Sequence, residues 1–377
     1  MTQPSIVLDK NLTMKKIIEK LPLDHFGKLV SQVKIDLIQG QPVCITGMPG
    51  IGLNYFLKKM EIILNDNGEK VVFLQTPLYP NNFKQIIKKV LKKELRLETD
   101  NDFFLALKKR LESQKVFFIL SSLDSLILKQ PTTIRFLLQL RNLNPSSFLF
   151  LTSAGPSLLT DYDRFLKLGE DLFYNVKIIP LFDLKGTKKI LKINKKILGL
   201  SYPETTYSKI YELSKGNAAI TKHLGLAVDK FSPEILKNKK TLIQFPSLRV
   251  KVDEIAQTML KEPLKTLKKI NIVNQQGEVF SPLVKKYLEV YESTHIRKIF
   301  PNLTKKERKI LTYFLANKGK VLNKDKLSFL IGMKANNFSL WTIYKSISRL
   351  RTKIKQHYRI TNIKGIGYQL KIIPQKI

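Results

Sequence analysis

The chain has 377 residues, with 66 Lys and Arg against 30 Asp and Glu, for a formal net charge of +36. Its 43% hydrophobic content can fill real cores, which excludes a wholly disordered basic chain and predicts two or three domains. The single cysteine, Cys44, excludes an intramolecular disulfide and a cysteine-rich metal site, the four histidines share no ligand spacing, and no apolar run reaches the roughly 18 residues that cross a bilayer.

These features, with an N-terminus that carries no apolar run followed by a small-residue cleavage site, lead to the expectation of a cytoplasmic protein in a reducing setting, without metal or membrane partner. In chain order, residues 20–40 show helical periodicity and end near Gly40. A short apolar strand at 42–46 leads into a loop at 47–52 and a helix at 53–66. A strand at 70–74, helices at 81–95 and 100–113, an unbroken apolar strand at 115–120, a helix at 131–141, a second buried strand at 147–152 and a fifth strand at 175–179 follow. Strands alternating with helices predict a mainly parallel sheet covered on both faces. Beyond Pro180 the pattern is helical, at 184–198, 204–214, 217–230 and 250–270. A small hairpin turning at Gly277 and a helix at 282–293 follow.

The loop Gly47-Met48-Pro49-Gly50-Ile51-Gly52-Leu53-Asn54 fits the frame G-x-x-x-x-G-K-[ST] at both of the frame's glycines, after a strand and at the start of a helix. Such glycines let backbone N–H groups close around phosphate, and the helix N-terminus adds partial positive charge. Leu53 stands where the frame has lysine, and Asn54 where it has the hydroxyl that holds Mg²⁺. After the strand at 116–120, Ser121 and Ser122 stand where hard carboxylate ligands are expected, with Asp124 displaced. Together with the turn Leu213-Ser214-Lys215-Gly216-Asn217, these pieces make residues 20–230 resemble the P-loop NTPase domain of AAA+ and STAND proteins. The resemblance implies a nucleotide-binding set of Gly47, Gly50, Gly52, Leu53 and Asn54, retained in backbone but not in side chain. The expectation is a chain that is not an enzyme, with no catalytic residue and no required cofactor. ATP held by the backbone alone stays open.

Residues 301–377 carry 18 Lys and Arg against Glu307 and Asp325, a charge of +16 over 77 residues, whereas the first 300 residues carry +20. A lysine-rich composition alone gives solvated surface, but concentration in one segment is the footprint of nucleic-acid binding. Thr304 followed by Glu307 reads as a capping box that opens a helix. Residues 319–322 form a turn and short strand, residues 324–330 a second helix and residues 340–355 a third. In that third helix Ile343, Ile347, Leu350 and Ile354 form one apolar face, and Lys345, Ser348, Arg349, Thr352 and Lys355 lie off it. Residues 358–370 read as two strands with a glycine-bearing connection. Trp341 is expected in the core.

The string Ile347-Ser348-Arg349-Leu350-Arg351-Thr352-Lys353-Ile354 and the tail Ile363-Lys364-Gly365-Ile366-Gly367-Tyr368, in this order after Thr304 and Gly319-Lys320-Val321, resemble the winged-helix effector domain of OmpR/PhoB-type response regulators. That resemblance implies that Lys345, Ser348, Arg349 and Arg351 face DNA from the recognition helix, and that Asn362, Lys364 and Tyr368 reach it from the wing. Lys345 and Ser346 depart from the family pattern, as does the segment 333–339. The acidic cluster of a receiver domain is absent from the first 230 residues.

The fold class expected is an α/β P-loop NTPase-like parallel sheet with a helical lid, followed by a C-terminal winged helix-turn-helix of α+β type. The expected boundaries are 1–180 for the P-loop-like domain, 181–232 for the lid, 233–298 for a linker region with winged-helix character, and 299–377 for the DNA-binding domain. The function expected is transcriptional regulation through double-stranded DNA, with the P-loop-like domain serving as sensor or as a surface for self-association or a partner protein. An ATP-driven switch and a non-specific nucleic-acid binder are the rivals.

Overall fold

A computed structural model describes residues 26–75, 82–97, 102–123, 131–317, 319–331 and 339–373. The chain divides into two compact units, Met1–Ser201 and Tyr202–Ile377. The expected lid segment 181–232 is therefore shared between them.

In the first unit, helix α1 (Lys28–Ile38) precedes strand β1 (Val43–Thr46), and helix α2 (Leu53–Asp66) leads to β2 (Lys70–Gln75). Helices α3 (Phe83–Leu95) and α4 (Phe103–Ser113) precede β3 (Val116–Ser121). Helix α5 (Pro131–Leu143) then leads to β4 (Phe148–Ser153), and α6 (Tyr162–Phe173) to β5 (Val176–Ile178). Helix α7 (Leu184–Leu198) closes the unit. The five strands form one sheet in the order β2-β3-β4-β1-β5, every pair parallel. Each residue of β1, β3 and β4 is buried, as expected of strands covered by helices on both faces. Phe118 stacks on Phe148 at 5.7 Å, and Phe150 meets both rings edge-on. Each such ring taken out of water contributes on the order of 1.5–3 kcal/mol. The edge strand β5 is only half-buried. It is fastened to α1 by Asn175 and Lys177, whose side chains reach Asp36 at 2.9 and 3.0 Å.

Connections from β1 run towards β2, and those from β4 cross β1 to β5. The crevice at the carboxyl ends of β1 and β4 is thus the switch point of the sheet, where loops of this architecture carry their sites.

The second unit begins with α8 (Tyr207–Ser214) and α9 (Ala218–Phe231). It continues through α10 (Pro246–Lys261), α11 (Leu264–Lys269) and α12 (Pro282–Ile299). The helix expected over 250–270 is two helices, because Pro263 withholds an amide and forces the residue before it into extended backbone. The expected hairpin at 271–282 reduces to a single antiparallel bridge between Val273 and Val279.

The last part contains α13 (Lys305–Ala316), β6 (Leu322–Asn323), α14 (Lys324–Ile331), α15 (Leu340–Ile354), β7 (Tyr358–Ile363) and β8 (Gly367–Ile372), with a three-stranded sheet ordered β6-β8-β7. Its core gathers Ile310, Phe314, Leu327, Ile347, Leu350 and Leu370, and also takes in Leu260 and Ile296 from α10 and α12. The Tyr358 hydroxyl donates a buried hydrogen bond of 3.0 Å to the Leu260 carbonyl. The packing therefore runs across residue 298, where the sequence suggested a boundary. Among the described residues no helix is long and apolar enough to cross a membrane.

His223 sits in the lysine-rich surroundings of α9. Burial, with Lys222 and Lys251 adding, pushes its imidazole down to about 4, and its buried Nδ1 makes no hydrogen bond. Between its ordinary value near 6.5 and about 4 the unfolded chain binds a proton that the folded chain does not, so folding weakens as the pH falls through that window. The expected loss is on the order of 2 kcal/mol once partial exposure is allowed for. His223→Gln should flatten this dependence in chemical denaturation measured between pH 7 and pH 4.

Candidate nucleic-acid interface

The loop of the first unit keeps the shape that its glycines predict. Gly50 and Gly52 have φ of 77° and 107°, the left-handed region open to glycine, and Gly52 precedes α2 with no side chain capping the helix. Gly47 is buried, and a Cβ there would meet Ile51 Cγ2 at 3.0 Å. Ile51 and Met48 point into the core, and the Ile51 amide donates to the Met48 carbonyl at 3.2 Å. Leu53 is half-buried and Asn54 exposed.

Short hydroxyl side chains join the neighbouring strand ends. The Thr46 hydroxyl donates to the Gly155 carbonyl at 3.2 Å, and the Ser122 amide donates to Ser153 Oγ at 3.0 Å. Ser121 is buried at the end of β3, and Asp124 lies outside the described residues. Among the described residues no group of three His, Cys, Asp or Glu is placed to hold a metal ion. One buried charge escaped the sequence reading: Lys59 of α2 is 5% exposed, and burial lowers its ammonium from the ordinary lysine value against the opposing pull of Asp66.

The C-terminal unit gives a sharper picture. The Thr304 hydroxyl accepts from the Glu307 amide while the Glu307 carboxylate accepts from the Thr304 amide, the reciprocal box that starts α13. Glu307 is 4% exposed, and Lys353 of α15 donates to both of its oxygens at 2.8 and 3.0 Å. Burial pushes this carboxyl upward, but the hydrogen bonds from Lys353 and Thr304 outweigh it and hold the group below its ordinary range. The ion pair thus fastens α15 across α13, and it removes Lys353 from the residues available to a ligand.

Ser339 caps α15, and Ile343, Ile347, Leu350 and Ile354 are its buried stripe. Lys345, Ser348, Arg349, Thr352 and Lys355 are all exposed, at helical spacings of three or four along the opposite side. Trp341 does not join the core. It is 66% exposed, at the head of that outer stripe, with Lys345 Nζ 4.4 Å from its ring. Two residues from Ile343 turn it about 200° around the helix, away from the apolar face. Tyr344 is also exposed, at 45%.

In the hairpin, Asn362 and Lys364 are exposed and Ile366 stands out at the turn. Tyr368 is different. It is 4% exposed, on the same strand face as Leu370, and the Arg351 guanidinium lies 5.6 Å from its ring. Arg351 Nε donates to the Ile360 carbonyl at 2.9 Å. Arg351 and Tyr368 thus join the third helix to the wing, while Lys345, Ser348, Arg349, Asn362 and Lys364 are exposed on the outside. The segment 333–338, whose sequence departs from the family pattern, lies outside the described residues.

No curated protein matches the chain. Among solved structures, the chain is similar to a replication initiator DnaA bound to AMPPCP and single-stranded DNA, at 17% identity over 93% of this chain and 95% of that chain, with a TM-score of 0.42. It is also similar to a DNA replication initiation factor at 17% identity (89% and 92% of the two chains, TM-score 0.39). A third likeness is to Cdc6p from Pyrobaculum aerophilum at 13% identity (99% and 92%, TM-score 0.37). With likenesses of this kind, the expectation that the chain is not an enzyme is withdrawn. Leu53, Asn54, Ser121 and Ser122 remain departures from the frame, but the conclusion drawn from them does not stand. Residues 300–370 match the family described as "Transcriptional regulatory protein, C terminal", and this segment is an OmpR/PhoB-type winged-helix, DNA-binding domain of transcription regulators.

Proposed function

We propose that the protein regulates transcription by holding duplex DNA between α15 and the β7–β8 wing. The observation that carries this reading is the two-sided α15. Its inner stripe is fixed in the core, and its outer stripe offers Lys345, Ser348 and Arg349 with no carboxylate on that face. At about 1.5 Å per residue, the 15-residue helix is some 22 Å long, enough to lie along a major groove. Arg349 supplies the fork that suits guanine O6 and N7, and Lys364 supplies a point charge for phosphate.

Selection of bound fragments from random duplex DNA by the full chain tests the reading. An enriched motif supports it. Equal retention of all sequences would favour a binder that uses charge alone. Replacing Lys364 by Ala should weaken binding by a similar factor on every duplex and flatten the salt dependence by about one phosphate contact. A loss confined to one sequence would mean that Lys364 reads bases.

The P-loop-like domain serves in this reading as the sensor, or as the surface for self-association or a partner protein. The second reading, control of DNA binding by nucleotide at residues 47–54, is favoured by the left-handed Gly50 and Gly52 ahead of an uncapped α2. Equilibrium dialysis with labelled ATP, with and without Mg²⁺, separates the two.

A further inference from the structure

Beside the winged helix lies a second concentration of positive charge that the reading above leaves unused. A cleft of about 1040 Å³ is lined by Lys237, Lys239, Lys240, Lys285, Lys286 and Lys320, with Glu278 and Glu289 the only acids among the described residues of its wall. Three of these lysines are paired: Lys237 with Glu234 at 2.5 Å, Lys286 with Glu289 at 3.1 Å and Lys320 with Glu278 at 3.4 Å. Lys239, Lys240 and Lys285 are exposed; Lys285 is near enough to Glu278 to help hold that carboxyl below its ordinary range, after Asn274 and Lys320. Like charges gathered in a concave wall repel one another and focus field lines outward, an arrangement that an anion relieves.

The cleft is part of the same packed body as the wing. The short helix Lys239–Leu242 packs on α12, and α12 packs on α13. The Gly319 carbonyl accepts from Gln369 Nε2 at 2.7 Å, and Asn323 pairs with Gly367 at the root of the wing turn. From Lys320 on the rim to Asn323 is about 10 Å at the rise of an extended chain. Lys320 on the rim and Gly367 at the root of the wing turn are therefore separated by three residues of chain and one strand pairing, a span that a single duplex backbone covers.

The composition of the cleft narrows its ligand. Lysines are point charges without the planar fork that reads bases, so they suit phosphate. Phe280 is the sole aromatic residue among the described lining, so the stacking platform that single strands need is missing. We propose that this cleft binds the sugar–phosphate backbone of the DNA duplex flanking the segment held by α15 and the wing, so that the footprint continues past the wing. The proposal rests on the reading of α15 and the wing as the duplex-holding surface.

The test uses the full chain and two duplexes built on one selected sequence. One stops at the edges of the selected site, and the other adds about 15 base pairs of unrelated sequence on each side. For the wild type, the flanks should tighten binding at low salt by about tenfold or more, steepen the salt dependence by roughly two to three phosphate contacts, and lengthen the hydroxyl-radical footprint. The triple variant Lys239→Gln, Lys240→Gln, Lys285→Gln should lose all three effects while binding the short duplex within about twofold of the wild type, which also reports an intact fold. If the flanks add nothing to the wild type, or the triple variant keeps the gain, the cleft proposal is overturned and the reading of α15 stands. If the wild type ignores the short duplex altogether, the reading of α15 fails and the cleft proposal falls with it.

Discussion

Replacing Arg349 by Ala is expected to lower discrimination between the selected sequence and an unrelated duplex by roughly 5- to 150-fold, the worth of one bidentate contact to a base. Arg349 stands on the exposed side of α15, and its removal takes nothing from the core stripe of Ile343, Ile347, Leu350 and Ile354. The melting temperature should therefore stay where it is. Arg351, two residues on, should behave differently although the sequence pairs it with Arg349. Its Nε holds the Ile360 carbonyl and its guanidinium lies over Tyr368, so Arg351→Ala removes the tie between helix and wing. A cost of about 1–3 kcal/mol in stability follows, with weaker binding on every duplex rather than lost discrimination. Gel shifts with competitor DNA, run beside thermal unfolding, separate the two variants. Unchanged discrimination in Arg349→Ala would move base reading to Lys345 or Ser348.

The difference between these two arginines marks how far the sequence could be read. The sheet was legible because β3 and β4 are unbroken apolar runs, and the winged helix because its motifs follow one another in order. The family resemblance implies a DNA contact at Tyr368, but Tyr368 alternates in step with Leu370, which puts both on the buried face of β8. A large aromatic residue suggests the core for Trp341, but its spacing from Ile343 turns it to the outside. In both cases the periodicity carried the answer and residue type outweighed it. Other features left no local signal. The bond from Tyr358 to Leu260 spans 98 residues, and the lysine cleft is assembled from residues 237–240, 285–286 and 320. Only the packed chain brings such segments together.

The close approach of β6 to β8 is of that hidden kind, and Gly367→Ala tests it. The sequence shows only a turn with two glycines, Gly365 and Gly367, and the structure gives them unequal burdens. A Cβ on Gly367 would lie 2.1 Å from the Leu322 carbonyl oxygen and 2.9 Å from Asn323 Cα, with φ at 158°. These are backbone atoms of the paired strand, so no side-chain rotation relieves the overlap, and β6 must leave β8. β6 has only two residues, Leu322 opposite Tyr368 and Asn323 opposite Gly367, so losing one pairing loses the strand. Leu322 and Tyr368, 5% and 4% exposed, then open to water, and Arg351 loses the ring beneath it. We expect a loss of about 3 kcal/mol in the C-terminal unit and weaker DNA binding on all sequences. Gly365→Ala is the control: φ there is 77°, but nothing lies within 4 Å of the added carbon, so only about 1 kcal/mol of left-handed strain is introduced. Denaturation of the two variants side by side should show Gly367→Ala unfolding well before Gly365→Ala. Equal stability would mean that the wing root tolerates a side chain and that β6 does not hold the wing in place.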